Sequence, residues 1–484
     1  MPQIKENRRF RILSLSKRLE EIAAEKRKHF FHLVNLSIET KAVQLEYDRL
    51  QNVSTRMPRG IHSVPDEILA MIFEAGRGPH FGLLVSRVSH RWRAIALTSP
   101  RLWAHIRYIT PPGKPGLSPE VQIDRGATYL ARSGVAPVDV RINSNYQTNQ
   151  ISLSADVLQA ISKHMGNCWH LSVVDVGSIS MRGILDYISR QPAPFLRSIK
   201  LYAPSGLVFS SPFLPRGAPL LRTVQLNGVD NLNTFTFCFT ALQSVTHLRL
   251  TGMSIINMET YSTFRALLMS LQSLNHLEVK LIGWQVAPLP FAFPIVLPTL
   301  QILAVDYIHP LKITETIHAA SLKSLSLAGR LVEYDTSPDM PTHYHYPQLE
   351  HLVLASYYSR DLAEFPCLPK RFPDIQRLTC LAFKDAKLAD IRRMFEIIVG
   401  GHEPDSSPRW SSLQSIGISA VHKQAILPAL VSIISKLKEA GHPFRSLLIP
   451  KDTKPEAGAL GELIEIGEFY NDWPTIFPLK MPTA

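Results

Sequence analysis

The spacing of apolar residues changes along this chain and divides it into three parts. In the first part, apolar residues recur at alternating intervals of four and three from Leu15 to Leu50, which is the spacing of a coiled-coil seam. No proline lies between these two residues, so the pattern predicts one coiled-coil-like helix over residues 1–55. Polar residues interrupt the seam at Lys26, His29 and Thr40.

The N-terminal helix could bury its seam in two ways. It could pair with a second copy of the chain, or it could fold back along the rest of its own chain. Polar residues in a seam weaken a long coiled-coil dimer. We therefore expect a monomer rather than a coiled-coil dimer, and light scattering separates the two alternatives.

The second part, residues 58–108, has the spacing of three short helices. Pro65 suits the first turn of a helix, and the two acidic residues after it place negative charge where the helix dipole favours it. Apolar residues then follow at helical spacing, first over Ile68–Phe73 and again over Leu83–Trp92. The segment has more apolar side chains than so small a unit can bury against itself, which predicts a protein partner that covers the rest.

The third part, residues 120–484, repeats the phrase L-x-x-L-x-L, in which Ile, Val, Cys or Phe also fill the apolar positions. Most successive starts are about 22 to 29 residues apart, which is the range of leucine-rich repeats. The phrases start at Val135, Cys168, Leu196, Leu221, Val245, Leu274, Leu300, Leu322, Leu349, Ile375, Leu413 and Phe444.

Each phrase puts two apolar side chains on one face of a short strand, and no single strand can bury that face alone. Neighbouring strands are therefore expected to stack into a parallel sheet backed by helices, with candidate helices at Thr260–Leu271 and Leu388–Val399. The predicted fold class is α/β, an irregular leucine-rich-repeat solenoid that follows the N-terminal helices. Three glutamates at intervals of three, Glu462, Glu465 and Glu468, predict a C-terminal amphipathic helix.

The strand positions that alternate with the leucines point away from the core and are the candidate target-facing residues. An acidic or phosphorylated segment is the expected ligand beside Arg249 and Lys280. The alternative is that these residues form an ordinary solvated sheet face. The candidates are Lys200, Tyr202, Gln225, Asn227, His247, Arg249, His276, Glu278, Lys280 and Asp306.

Composition and motifs argue against several classes of function. The formal net charge of +12 is not concentrated in a basic run interleaved with aromatic residues, so we do not expect nucleic-acid binding. The four cysteines have no metal-ligand spacing, and no phosphate-binding, nucleophile or zinc motif is present. We therefore expect no enzyme, no cofactor and no metal. No apolar stretch is long enough for a signal peptide or a membrane span, which predicts a cytoplasmic or nuclear protein.

Several short motifs of the second part resemble those of the F-box. Val64-Pro65 stands where the F-box has Leu-Pro, Glu67-Ile68-Leu69 with Ile72-Phe73 matches its first helix, and Val88-Ser89-His90-Arg91-Trp92 matches its third. Leu102-Trp103 matches the closing Leu-Trp. The chain is similar to the expanded F-box family of mushroom-forming fungi, and it departs from the motif in the loop from Gly76 to Gly82.

This resemblance implies a substrate-recognition subunit of an SCF-type (Skp–cullin–F-box) ubiquitin ligase. Its partners are then the Skp adaptor, through it a cullin-RING ligase, and a target protein that the repeats bind. The alternative is a leucine-rich-repeat scaffold whose divergent F-box does not engage a ligase. By the resemblance, the adaptor-binding residues are Val64, Pro65, Ile68, Leu69, Ile72, Phe73, Leu84, Val85, Val88, Trp92, Leu102 and Trp103.

Overall fold

The chain forms two compact units, Met1–Ala75 and Gly76–Ala484, in a computed structural model. The boundary between the units lies within the segment 58–108. The structure describes residues 2–54, 61–76, 80–109, 119–143, 155–174, 178–204, 206–229, 236–285, 293–329, 345–355, 367–381, 410–419, 426–439, 441–451, 461–470, 473 and 477.

The first unit contains two helices. The predicted N-terminal helix is confirmed as α1 (Pro2–Ser54). A 3-10 turn at Ile61–Ser63 precedes α2 (Asp66–Ala75), whose first turn carries two acidic side chains. The helix starts directly after Pro65, because proline lacks a backbone donor and suits a helix start.

The second unit begins with short helices that lead into a sheet. Helices α3 (Phe81–Val85) and α4 (His90–Thr98) are followed by a 3-10 turn at Pro100–Trp103. Ser89 caps α4, since its side chain accepts a hydrogen bond of 3.2 Å from the backbone N–H of Trp92.

Fourteen strands among the described residues form one parallel sheet, which confirms the predicted α/β class and its parallel strands. They follow one another in chain order, and the two-residue strands β8 (Ile295–Val296) and β10 (Ile317–His318) pair separately. The sheet strands are β1 (His105–Ile109), β2 (Val138–Asn143), β3 (Cys168–Val174), β4 (Ser198–Tyr202), β5 (Thr223–Asn227), β6 (His247–Ile255), β7 (His276–Trp284), β9 (Ile302–Asp306), β11 (Ser324–Ala328), β12 (His351–Ala355), β13 (Arg377–Leu381), β14 (Ser415–Ile418), β15 (Ser446–Ile449) and β16 (Glu465–Glu468).

The recurring phrase sets the register of this sheet. The fourth residue of one phrase pairs with the fourth residue of the next, as in Leu277, Leu303 and Leu325. All three side chains are fully buried. Each contributes about 1.5 to 3 kcal/mol relative to an exposed leucine, so the ladder of phrases forms the core.

Helices lie in many of the connections between strands. The predicted helix at Thr260–Leu271 is confirmed as α9, which buries Tyr261 and Phe264. The predicted helix at Leu388–Val399 lies outside the described residues. The helices of the second unit after α4 are α5 (Pro119–Ser133), α6 (Ala155–Lys163), α7 (Ser178–Ser189), α8 (Phe239–Leu242), α9 (Met258–Ser270), α10 (Pro310–Thr314), α11 (Cys367–Arg371) and α12 (Ile426–Glu439).

Two features near the ends of the sheet differ from the sequence-based expectation. Glu465 and Glu468 lie on strand β16, so the prediction of a C-terminal helix through these residues was wrong. Backbone pairing with β15 decides the outcome, as in the 2.9 Å hydrogen bond from the Glu465 N–H to the Arg445 carbonyl. Strand β1, which the phrase did not predict, starts the sheet by pairing with β2.

The backbone segments that follow adjacent strands β4 and β5 come into close contact. Gly228, directly after β5, has a φ of 79°, which side chains rarely adopt. A Cβ at this position would lie 2.1 Å from the carbonyl oxygen of Ala203. This turn therefore requires glycine.

Candidate functional site

In the first unit, the adaptor-binding residues implied by the resemblance divide into buried and exposed side chains. Leu69 and Phe73 of α2 are buried. Ile68 and Ile72, which lie on the same helix, are 45% and 54% exposed. Pro65 is exposed as well, so α2 presents apolar side chains to solvent. Val64 is half-buried.

The second unit shows the same division. Val85 and Trp103 are buried, whereas Leu84 and Val88 are 60% and 61% exposed. A buried side chain cannot contact a partner directly, so Val85 and Trp103 hold the fold. Leu84 and Val88 are available for contact. The remaining two residues of the set, Trp92 and Leu102, are half-buried.

Trp103 joins α4 to α5. Its indole N–H donates a 2.7 Å hydrogen bond to the Ala96 carbonyl, and its ring meets Tyr129 edge-on at 5.1 Å. The Arg132 guanidinium lies 4.4 Å from the centre of the indole ring. These contacts satisfy the polar tip of a fully buried tryptophan, so Trp103 supports the local fold.

The loop that departs from the F-box motif packs within the second unit. His80 adopts a φ of 63°, and its Nδ1 lies 3.3 Å from the Tyr129 hydroxyl. A Cβ on Gly82 would lie 3.0 Å from the Leu102 carbonyl oxygen. The described ends of the divergent loop are thus built into the fold, and residues 77–79 lie outside the described residues.

The seam of α1 is exposed wherever the structure describes its apolar side chains. Leu19 and Leu33 are 68% and 65% exposed. A second copy of the chain could cover these side chains, which is the alternative to the predicted fold-back. The exposed apolar seam residues are Leu15, Leu19, Ile22, Leu33, Leu36, Val43 and Tyr47.

The candidate target-facing residues lie on one face of the sheet, called here the polar face. It consists of the strand side chains that alternate with the core side chains, from Asp139 on β2 to Gly417 on β14. Burial varies widely along it. Gln225, Asn227, His276 and Glu278 are buried; Lys200, Tyr202, His247, Arg249 and Asp306 are half-buried; and Lys280 is exposed.

Two ion pairs on this face differ in burial. Arg249 on β6 donates to the Glu278 carboxylate on β7, and His276 Nε2 lies 2.9 Å from the same carboxylate. Little of the Arg249 and Glu278 side chains is exposed, whereas the 2.8 Å pair of Lys280 and Asp306 is about half exposed. The four charges line a groove with a cavity volume of about 240 Å³.

Small side chains lie beside the charged ones along the groove. Ala304 and Ala328 line it beside Lys280 and Asp306. His247 borders the buried pair, with its ring centre 5.7 Å from that of His276. Burial, and next the proximity of His276, lower the pKa of His247. The groove therefore offers alternating charges and a small apolar floor, which suits an extended peptide better than a reacting centre.

A second charged cluster lies at the other end of the polar face. Asp139 on β2 accepts a bidentate hydrogen bond from Arg141, the shorter contact being 2.8 Å, and its carboxylate lies 3.5 Å from His105. Burial alone would raise the pKa of Asp139. The hydrogen bonds from His105 and Arg141 outweigh it and hold the pKa at about 2.

Two aromatic residues cover part of the polar face. The ring of Phe477 lies 4.6 Å from the Arg249 guanidinium and 5.7 Å from the His276 ring, and Trp473 meets His276 edge-on at 6.3 Å. Neither residue was among the site residues predicted from the sequence. The one local signal was an aromatic pair beside prolines after the last repeat, and such a pair does not specify what it contacts.

Two other kinds of functional feature are absent from the described part of the chain. Within it, no three His, Cys, Asp or Glu side chains are grouped so that they could hold a metal ion. None of its helices combines the length and apolar character needed to cross a membrane. Comparison with protein-family models and with curated proteins found no match for this chain.

Proposed function

We propose that this chain is a substrate-recognition subunit of an SCF-type ubiquitin ligase. In this proposal, residues 58–108 are an F-box that binds the Skp adaptor. Residues 120–484 are a leucine-rich-repeat solenoid whose polar face binds a target protein. The chain itself performs no chemical step: it raises the effective concentration of a target lysine near the ubiquitin-conjugating enzyme.

One observation carries the proposal. Within the motif that resembles an F-box, some apolar side chains are buried while others, Ile68 and Ile72 in one unit and Leu84 and Val88 in the other, are about half exposed or more. In each unit, exposed apolar side chains on a short helix are typical of a protein-binding surface. The parallel sheet adds support, since its polar face supplies a separate surface for a second protein.

The alternative is an interaction scaffold whose F-box does not engage a ligase. The loop from Gly76 to Gly82 favours it, because its sequence departs from the motif and because its described residues His80 and Gly82 pack within the second unit. Both proposals assign the same role to the polar face. They differ only in whether the adaptor binds.

Binding of the full-length chain to purified Skp adaptor tests the proposal. The variant Pro65→Ala/Ile68→Ala changes two exposed side chains, so it should fold normally and lose about 2 kcal/mol of binding, roughly 30-fold. Ile282→Ala is the matched control, since Ile282 is 71% exposed on β7, and it should bind like the wild type. Failure of the wild type to bind would favour the scaffold.

A further inference from the structure

Three described aromatic residues that follow β16 contact the polar face. The ring of Phe469, directly after β16, lies 3.3 Å from the position that a Cβ on Gly417 would occupy. Gly417 belongs to the polar face of β14, where the lack of a side chain makes room for this ring. Trp473 and Phe477 then lie on the polar face of β6 and β7.

The surface beneath these two rings has the features of a site for aromatic side chains. Phe477 is buried, and its ring is within cation–π distance of the Arg249 guanidinium. Glu278 fixes that guanidinium and also the ring of His276, which receives both aromatic rings edge-on. A planar cation held by a buried carboxylate is already ordered before a ring binds, which lowers the cost of binding.

Two buried polar side chains of β5 and β7 also belong to this face. Asn227 is fully buried, and its Oδ1 accepts a 2.8 Å hydrogen bond from the Thr251 hydroxyl. Its Nδ2 and the Nδ1 of His276 have no hydrogen-bond partner within the described structure. Unpartnered buried polar atoms cost free energy, so this part of the polar face is incompletely satisfied with the segment in place.

We propose that Arg249, His276 and Glu278 form a peptide-recognition site for aromatic side chains, and that the chain's own C-terminal segment occupies it through Trp473 and Phe477. A target peptide with aromatic residues in a similar spacing competes with this segment. The neighbouring groove along Lys280 and Asp306 takes the residues of the target that flank the aromatic pair. The proposal rests on the proposed function only for its claim that the competitor is a ligase target.

A labelled peptide with the sequence of residues 461–484 provides the probe. We expect it to bind the full-length variant Trp473→Ala/Phe477→Ala about tenfold more tightly than the wild type, whose site is filled. Arg249→Lys in the variant background keeps the charge but loses the planar guanidinium, and should weaken binding about fivefold. Fluorescence anisotropy measures each affinity.

Controls separate site opening from loss of fold. The matched control Tyr470→Ala removes an exposed ring from the same segment and should bind the peptide like the wild type. A peptide with alanine at both aromatic positions should not bind the open variant. Phe477→Ala alone is a milder variant, used if the double variant loses its far-ultraviolet circular dichroism.

The decisive comparison is between open and filled sites. The proposal would be overturned if the peptide bound the wild type and the folded Phe477→Ala and double variants with the same affinity, or if it bound none of them. The segment would then be a fixed part of the fold. The assay contains no adaptor, so its result is independent of whether the F-box engages a ligase.

Discussion

The buried ion pair on the polar face allows a sharp stability prediction for Glu278→Gln. The Glu278 side chain is 10% exposed and those of its partners Arg249 and His276 are 12% and 0% exposed. Glutamine has nearly the same size and retains one oxygen acceptor. It removes the negative charge, so the Arg249 cation remains largely buried without its counter-ion.

The burial of the partners sets the magnitude. Removing one member of a buried ion pair costs about 3 to 5 kcal/mol, and the acceptor that glutamine retains favours the lower value. We therefore expect a loss of about 3 kcal/mol in the free energy of unfolding, a factor of roughly 150 in the folding equilibrium. The urea midpoint, followed by circular dichroism, should fall by about 1 M.

Lys280→Gln is the matched control on the same strand. The Lys280–Asp306 pair has a good distance of 2.8 Å, but its side chains are 59% and 48% exposed. Solvent screens such a pair, so we expect a change within about 0.5 kcal/mol. The double variant Arg249→Met/Glu278→Gln removes both buried charges and should be less destabilised than the sum of the two single variants.

Equal midpoints for Glu278→Gln and Lys280→Gln would refute the reasoning, because burial would then not distinguish the two pairs. Strict additivity in the double variant would show that Arg249 and Glu278 do not stabilise one another. Either result would also weaken the assignment of Arg249 as an ordered cation for aromatic side chains.

Three further predictions address other parts of the chain. Asp139→Asn should lower the free energy of unfolding by about 1 to 2 kcal/mol near neutral pH. Because folding lowers the Asp139 pKa, this contribution is present above about pH 4 and is lost on acidification. The urea midpoints of the wild type and the variant should therefore converge toward about pH 2. Gly228→Ala, which meets a backbone oxygen, should lower the thermal midpoint well below that of Gly217→Ala, whose Cβ meets nothing within 4 Å although its φ is also positive; equal midpoints would contradict this. The described side chains of the α1 seam are exposed, so the structure favours the coiled-coil dimer over the monomer expected from the sequence: light scattering should give the mass of two chains for the wild type and of one for Leu33→Glu, and a monomeric wild type would support fold-back instead.

Much of the architecture was predictable from local spacing. The phrase L-x-x-L-x-L places Leu325 and Leu327 on one face of a strand wherever that strand lies, so the parallel sheet and its core follow from the sequence. The long helix α1 follows in the same way from a pattern of helical period that contains no proline. The ten target-facing candidates lie, as predicted, on the face opposite the core leucines for the same reason, and their role in binding a target stays a prediction.

The degree of burial of those ten side chains was not predictable from the sequence. A polar residue on a strand face has the same local pattern whether solvent, an ion pair or a later segment covers it. Glu278 and Lys280 are two positions apart, yet one is buried and the other exposed. The neighbouring strand and the residues that cross the face decide this difference, and neither leaves a periodic signal.

What the sequence by itself determined is therefore periodic: the helix of the first part, the strand positions of the repeats and the side of the sheet on which each residue lies. Only the tertiary structure decided that Glu465 joins a strand, that Trp473 reaches His276 and that Phe477 reaches Arg249, both far earlier in the chain. Periodicity reports which face of a local element is apolar. Pairing with a distant strand and covering of a distant side chain depend on backbone hydrogen bonds and contacts that form only after the chain has folded.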